Sequence, residues 1–212
     1  MGITERKERE KLARREEIIS AAERLFFSKG VQHTSMDDIA REAELSKGTL
    51  YLYFQGKEDL QFAIFRKGAE LLTKQMLHEI KGVTTGLEKI IELGRTFIEF
   101  SVNHKNYFSL FSFFETNNLD ILKIKRNQIE KYIKEESPLA VVYSSVIEGI
   151  RDGSIKKKYS AKILATTLWT ELLGLLIVVE NKKEITKMFQ VDTEQILEQH
   201  FNLILGQGIK GK

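Results

Sequence analysis

Apolar residues recur three and four positions apart along most of the chain, and no apolar–polar alternation bounded by turn residues marks a strand. Ile18, Ala22, Leu25 and Phe26 share one face of a helix expected from about Glu8 to Lys29. A second helix follows Thr34 or Ser35, either of which can cap it, with Asp37 and Asp38 in its first turn and Ile39, Ala40 and Ala43 on a narrow apolar side. Ser46 can cap a third, whose Leu50 and Phe54 lie four apart and pack inward. Only Glu44 and Leu45 separate the two, so the link is a sharp turn.

Beyond Gly56, residues 57–80 read as one long amphipathic helix. Further helices are expected at about 86–103, 105–115, 120–151, 160–180 and 193–206, with Pro138 kinking or splitting the fourth. "RDGS" (151–154) reads as a turn, and the closing "GQGIKGK" as a frayed end. The fold class is all-α.

Ser-Lys-Gly occurs twice, with opposite roles. At 28–30 it ends a helix, because glycine takes the left-handed conformation and lysine favours the negative helix terminus. At 46–48 it opens one: Ser46 caps, Lys47 projects from the first turn, and Gly48 lets an outside phosphate approach the backbone. Thr49, Tyr51 and Tyr53 add hydroxyls. Two short helices, a tight turn and a supporting first helix form a helix-turn-helix pattern. The same pattern also fits a merely structural short helix with half-buried tyrosines.

Charge sharpens this only locally. The 212 residues carry a net +3, and residues 1–57 hold 11 Lys/Arg against 10 Asp/Glu, a net of +1. Segment 46–57, "SKGTLYLYFQGK", nevertheless contains Lys47 and Lys57 and no acid. With no cysteine, disulfides, thiolate metal sites and cysteine catalysis are excluded. The four histidines, at 33, 78, 104 and 200, share no metal-ligand spacing, and no glycine-rich phosphate loop follows a strand. Neither metal, cofactor nor enzymatic activity is expected. The charged opening "MGITERKEREKLARREE" has no apolar run of a secretory signal, so the expected location is cytoplasmic.

In order and spacing, "TSMDDIAREAELSKGTLYLYFQGKEDL" resembles the DNA-binding domain of the tetracycline-repressor (TetR) family of transcriptional regulators. The resemblance covers about residues 10–70; beyond them only length and helical character agree. It implies a three-helix DNA-binding domain at 1–56 and a helical ligand-binding and dimerisation domain at 57–212. It also implies that Thr34 and Ser35 meet a phosphate, that Ser46, Lys47, Gly48, Thr49, Tyr51 and Tyr53 enter the major groove, and that Lys57 meets backbone phosphate. Gly56 stands where that family often has a polar cap, and glycine caps less strongly.

In the C-terminal half, Phe97, Phe100, Tyr107, Phe108, Phe111, Phe113 and Phe114 fall within 18 residues. The cluster reads either as a filled helical core or as an apolar effector pocket formed by Phe97, Phe100, His104, Phe108, Phe111, Phe114 and Trp169. Segment 163–179 is apolar with basic flanks, like a membrane span, but covers only ~26 Å of helix and contains Glu171. It fits a dimer interface better: Ala165, Leu168, Leu172, Gly174 and Leu175 would face a partner together with Leu197, Phe201 and Ile204, in the four-helix arrangement the resemblance implies. A buried helix within one chain is the alternative. The expected function is a ligand-responsive repressor, binding a palindromic operator as a homodimer and released by a small apolar effector. A helical protein–protein adaptor is the rival.

Overall fold

The computed structural model describes residues 2–116, 126–135, 137–181, 188, 190, 192–203 and 209–211. Ten helices lie among them: α1 (Ile3–Lys29), α2 (Met36–Glu42), α3 (Lys47–Tyr53), α4 (Lys57–Glu79), α5 (Gly86–Asn103), α6 (Lys105–Thr116), α7 (Arg126–Glu135), α8 (Pro138–Asp152), α9 (Ala161–Asn181) and α10 (Thr193–Leu203). Among the described residues there is no sheet, only an isolated antiparallel bridge between Ile155 and Lys210. These residues fall into two compact units, one within Met1–Lys67 and Phe113–Lys125, the other within Gly68–Ser112 and Arg126–Lys212.

In the first unit α1 starts about five residues earlier than its apolar pattern indicates. Glu5 accepts the Gly2 N–H at 3.2 Å and Arg6 pairs with Glu10 at 2.8 Å, so charge supports a turn that no core reaches. The helix stops at Gly30, where φ is +83° and the N–H reaches the Phe26 carbonyl at 3.0 Å. Ile18, Ala22, Leu25 and Phe26 are buried, with Ile39, Ala40, Leu50, Phe54, Leu60 and Ile64 completing the core. From α6, Phe114 joins this unit: its ring centroid lies 4.6 Å from Phe65 and 5.9 Å from Phe62.

In the second unit α5 and α9 both pack on α8. The α5–α8 crossing is tight because both helices present glycine. A Cβ on Gly86 would sit 2.0 Å from the Gly149 backbone nitrogen, and one on Gly149 would sit 2.5 Å from Ile155. The C-terminal end of α8 also caps α5: Asp152 accepts the Gly86 N–H at 2.8 Å and the Ser154 hydroxyl accepts the Leu87 N–H at 3.1 Å. Pro138 splits the expected 120–151 helix, with Ser137 capping α8; residues 120–125 of that expectation lie outside the described residues.

One expectation is overturned. Residues 209–211 of the "frayed" end are tied down, with Ile209 buried, its carbonyl accepting the Lys156 N–H at 3.0 Å, and Gly211 donating to Ser154 at 2.7 Å. Composition suggested fraying because the lone isoleucine anchor carries little weight among glycines and lysines.

Gly86→Ala should destabilise the protein by about 3 kcal/mol, since its Cβ meets backbone that can only move with the helices. Thermal unfolding should fall by roughly 6–12 °C. An unchanged midpoint would mean that the crossing opens freely.

Candidate DNA-binding site

Helix α2 begins with a reciprocal cap. The Ser35 hydroxyl accepts the Asp38 N–H at 3.1 Å, and the Asp38 carboxylate accepts from the Ser35 N–H at 3.0 Å. The hydrogen bond from the Ser35 hydroxyl, above all, holds the Asp38 carboxyl below its ordinary pKa. α2 ends in a left-handed turn, with Leu45 donating to Ala40 at 2.8 Å and Glu44 to Arg41 at 3.1 Å. Glu44 has φ +54°, a conformation usually left to glycine.

Ser46 then caps α3 by accepting the Thr49 N–H at 3.1 Å, with the two hydroxyls 2.8 Å apart. Leu50 is fully buried and Phe54 nearly so, which fixes the roll of α3. Ser46, Lys47, Gly48 and Tyr51 are exposed, while Thr49 and Tyr53 are half-buried. A Cβ on Gly48 would meet only the Ser46 hydroxyl, at 3.9 Å, so nothing in the chain itself requires glycine there.

Three expected contacts sit differently from their sequence reading. Thr34 is 2% exposed and its hydroxyl donates to the Gly30 carbonyl at 2.9 Å, so it closes a turn instead of facing solvent. Lys47 is exposed but its ammonium pairs with Asp37 at 2.7 Å, which raises its pKa. Lys57 donates to the Val31 carbonyl at 3.1 Å. Gln32, His33, Ser35, Asp37, Lys47 and Lys57 nonetheless border one open groove. At the start of α4, Asp59 accepts the Gln55 N–H at 2.9 Å, supplying the cap that Gly56 lacks. The sequence reading missed Leu52, which is 82% exposed on α3 between two tyrosines.

The second unit holds a narrow apolar cavity of about 40 Å³, room for a few water molecules. Its walls include Met76, Leu93, Phe97, Val142, Leu168, Trp169, Leu172 and Phe201, with His200 as its ionisable member. Phe97 and Trp169 stack at 4.8 Å between centroids. Burial lowers the His200 pKa, which favours the neutral ring. Of the seven expected pocket residues, only Phe97 and Trp169 line this cavity. Phe100, Phe108 and Phe111 are core packed around Phe97 and each other, Phe114 belongs to the first unit, and His104 stacks near Phe100 beside Gln75.

The expected interface residues also divide. Ala165, Leu172 and Leu197 are buried by the chain itself, and Leu168, Leu172 and Phe201 line the cavity. Leu175 is half-buried and Gly174 exposed, with nothing within 4 Å of its would-be Cβ. Ile204 lies outside the described residues. The open face of α9 carries Ile163, Thr166, Thr170, Gly174 and Val178, spaced three or four apart. Because α9 is apolar nearly all round, sequence alone could not say which stripe its own chain covers. By length and composition Ala161–Val179 could cross a membrane; 44% of it is buried inside the chain.

The family described as "Bacterial regulatory proteins, tetR family" matches residues 18–64, the stretch that holds the helix-turn-helix. The HTH-type transcriptional regulator YhgD of Bacillus subtilis (strain 168) is 30% identical over 152 residues, 68% of this chain and 72% of that one. The chain belongs to the TetR family of transcriptional regulators. The fatty acid metabolism regulator protein of the same strain is 26% identical over 148 residues, covering 69% of this chain and 73% of that protein. The HTH-type regulator HbdR of Aromatoleum sp. (strain CIB) is 36% identical over 77 residues, and the chain spans only 34% of its length. Among solved structures, FadR of Bacillus subtilis in complex with stearoyl-CoA shares the fold, with a TM-score of 0.65 and 23% identity over 91% of this chain and 98% of that one. As in other TetR proteins, the helix-turn-helix makes this a DNA-binding regulator.

Asp37 is an intramolecular counterion of Lys47, and a phosphate brought to Lys47 would have to displace it. Asp37→Asn should therefore strengthen binding to random-sequence duplex and steepen its salt dependence by about one unit. Weaker binding would mean that Asp37 positions Lys47 instead of competing for it.

Proposed function

We propose that this TetR-family protein is a ligand-released repressor that binds a palindromic operator as a homodimer. Residues 1–56 would bind DNA, and 57–212 would bind ligand and dimerise. Ser46, Lys47, Gly48, Thr49, Tyr51 and Tyr53, with Leu52 beside them, present the face that enters the major groove, while Ser35 and Lys57 meet phosphate. Gly48 supports this reading, because only an approaching outside backbone accounts for a glycine there. Two such faces in successive grooves require half-sites about 34–36 Å apart. The open α9 face, with its apolar ends at Ile163 and Val178 and glycine between, supports pairing with a second copy over a membrane-spanning role. Exposed Glu171 on the same helix argues the same way.

The observation that carries ligand response is the apolar cavity, with a stacked aromatic pair and one neutral histidine. It suits a mainly apolar molecule with a single polar group. Long-chain acyl thioesters are the first class to test, since a relative of this fold holds stearoyl-CoA. At about 40 Å³ the cavity is far below the ~300–1,000 Å³ of drug-sized sites, so such a ligand binds only by displacing side chains. Phe201, whose ring would lie 2.7 Å from a Cβ on Gly94, is the plug to move. A ligand that favours a dimer of the wrong half-site separation lowers DNA affinity by its preference for that state, typically ~1–3 kcal/mol.

Sequences selected by the purified protein from random duplex DNA should contain a palindrome. Absence of any enrichment would favour the adaptor reading. Trp169 is the chain's single tryptophan, so its emission should change as stearoyl-CoA is added, in step with release of the selected DNA. An emission change without release would separate binding from regulation. Ile163→Asp with Val178→Asp should halve the sedimenting mass while leaving helical content intact. Persistence of a dimer would exclude this face as the interface.

A further inference from the structure

The first three turns of α1 project free of any core. Residues 4–14 are all exposed, and Leu12, at 59% exposed, is the large apolar residue among them. A helix so exposed, polar on every side, gains nothing from burial, yet its charges are sorted. Lys7, Lys11 and Arg14 fall at i, i+4 and i+7 and continue directly into Ile18, Ala22 and Leu25, the buried row of the same helix. Glu5, Glu8, Glu10, Glu16 and Glu17 all lie off that row. Residues 4–14 thus hold five Lys/Arg against three Glu, a net of +2, and the line that extends the core-facing side carries only basic charge.

The pairing pattern separates Lys7 and Lys11 from the arginines of the same turns, Arg14 of the row included. Arg6 bonds Glu10 at 2.8 Å and Arg14 bonds Glu17 at 2.6 Å, as a self-supporting surface helix would. Lys7 and Lys11 have no ion or hydrogen-bond partner among the described residues. The place where the overhang leaves the unit is also fixed. The Arg15 guanidinium lies 4.9 Å from the centre of the Phe54 ring, at the C-terminal end of α3. At 1.5 Å per residue, Lys11 and Lys7 stand about 6 and 12 Å further along the axis.

We infer that Lys7 and Lys11 on the α1 overhang clamp duplex phosphates beyond the end of the recognition helix, lengthening the footprint of each half-site without reading sequence. Charge complementarity and continuity with the α3 face select DNA as the occupant. Contacts of this kind position the protein and add to salt dependence, but leave base preference untouched. The inference rests on the DNA-binding reading of α3, and the test separates the two.

The full-length protein and the Lys7→Gln, Lys11→Gln double variant would be titrated with a random-sequence 40-base-pair duplex from 50 to 200 mM salt. Four lost phosphate contacts per dimer, two from each protomer, should lower the slope of log K against log salt by about 3.6 units. Moving from 200 to 50 mM salt would then strengthen wild-type binding roughly a hundredfold more than that of the variant. The Lys7→Arg, Lys11→Arg variant should restore the wild-type slope, and the palindrome selected from random DNA should be the same for all three proteins. An unchanged slope in the glutamine variant, with wild type binding normally, would overturn the clamp and leave the recognition helix standing. Failure of the wild type itself to bind would instead remove the DNA reading. If the variant lost affinity for phosphatidylglycerol vesicles and kept its duplex slope, the row would belong to a lipid surface and the inference would fall.

Discussion

A helix of seven residues does not hold together alone in water, where fewer than about 12–15 residues are marginal even for good helix formers. α3, the element proposed to read DNA, is of that length. Its persistence comes from outside itself, through complete burial of Leu50, near-complete burial of Phe54 and the Ser46 cap. Burying one such side chain is worth roughly 1.5–3 kcal/mol, comparable with the strain of a non-glycine left-handed residue such as Glu44. The rest of the first unit follows from this constraint. The second half of α1 supplies Ile18, Ala22 and Phe26 to the core on which the two short helices lie. The turn is tight because both helices must reach that core.

The local rules of this unit were legible in the sequence because each rests on neighbouring residues. The stop at Gly30, the caps at Ser35 and Ser46, the inward pair Leu50 and Phe54 and the division at Pro138 all follow from spacing and side-chain chemistry. The intrachain partners of the expected contact residues are what the sequence did not reveal. Thr34 turns inward because Gly30, four residues back, offers a free carbonyl at a helix end. Lys57 reaches Val31 across 26 positions, a distance no periodicity encodes. Helix starts are read from where apolar residues begin, so the purely ionic first turns of α1 escaped notice.

In the second unit composition pointed to the apolar material but not to which side of it each residue faces. The aromatic cluster is mostly core because Phe108 and Phe111 lean on Phe97 and Phe100 leans on Phe111, and of these four only Phe97 also faces the cavity beside Trp169. α9 has apolar residues on every face, so its hydrophobicity carries no azimuth. The Gly86–Gly149 crossing supplies one. By bringing α5 and α8 to backbone contact it sets where α9 can lie, covering Ala165 and Leu172 and leaving Ile163, Gly174 and Val178 outside.

The smallness of the cavity has a kinetic consequence. If the cavity takes an acyl chain as proposed, a site with room for a few water molecules would admit it only from an opened conformation. The apparent dissociation constant would then be the intrinsic one divided by the fraction of molecules already open. When opening is the slow step, the rate of ligand capture levels off as ligand concentration rises, at the rate at which Phe201 leaves Gly94. Such a regulator averages over brief excursions in ligand supply and answers only to sustained ones. Its response time is set by the packing of one aromatic ring on one glycine.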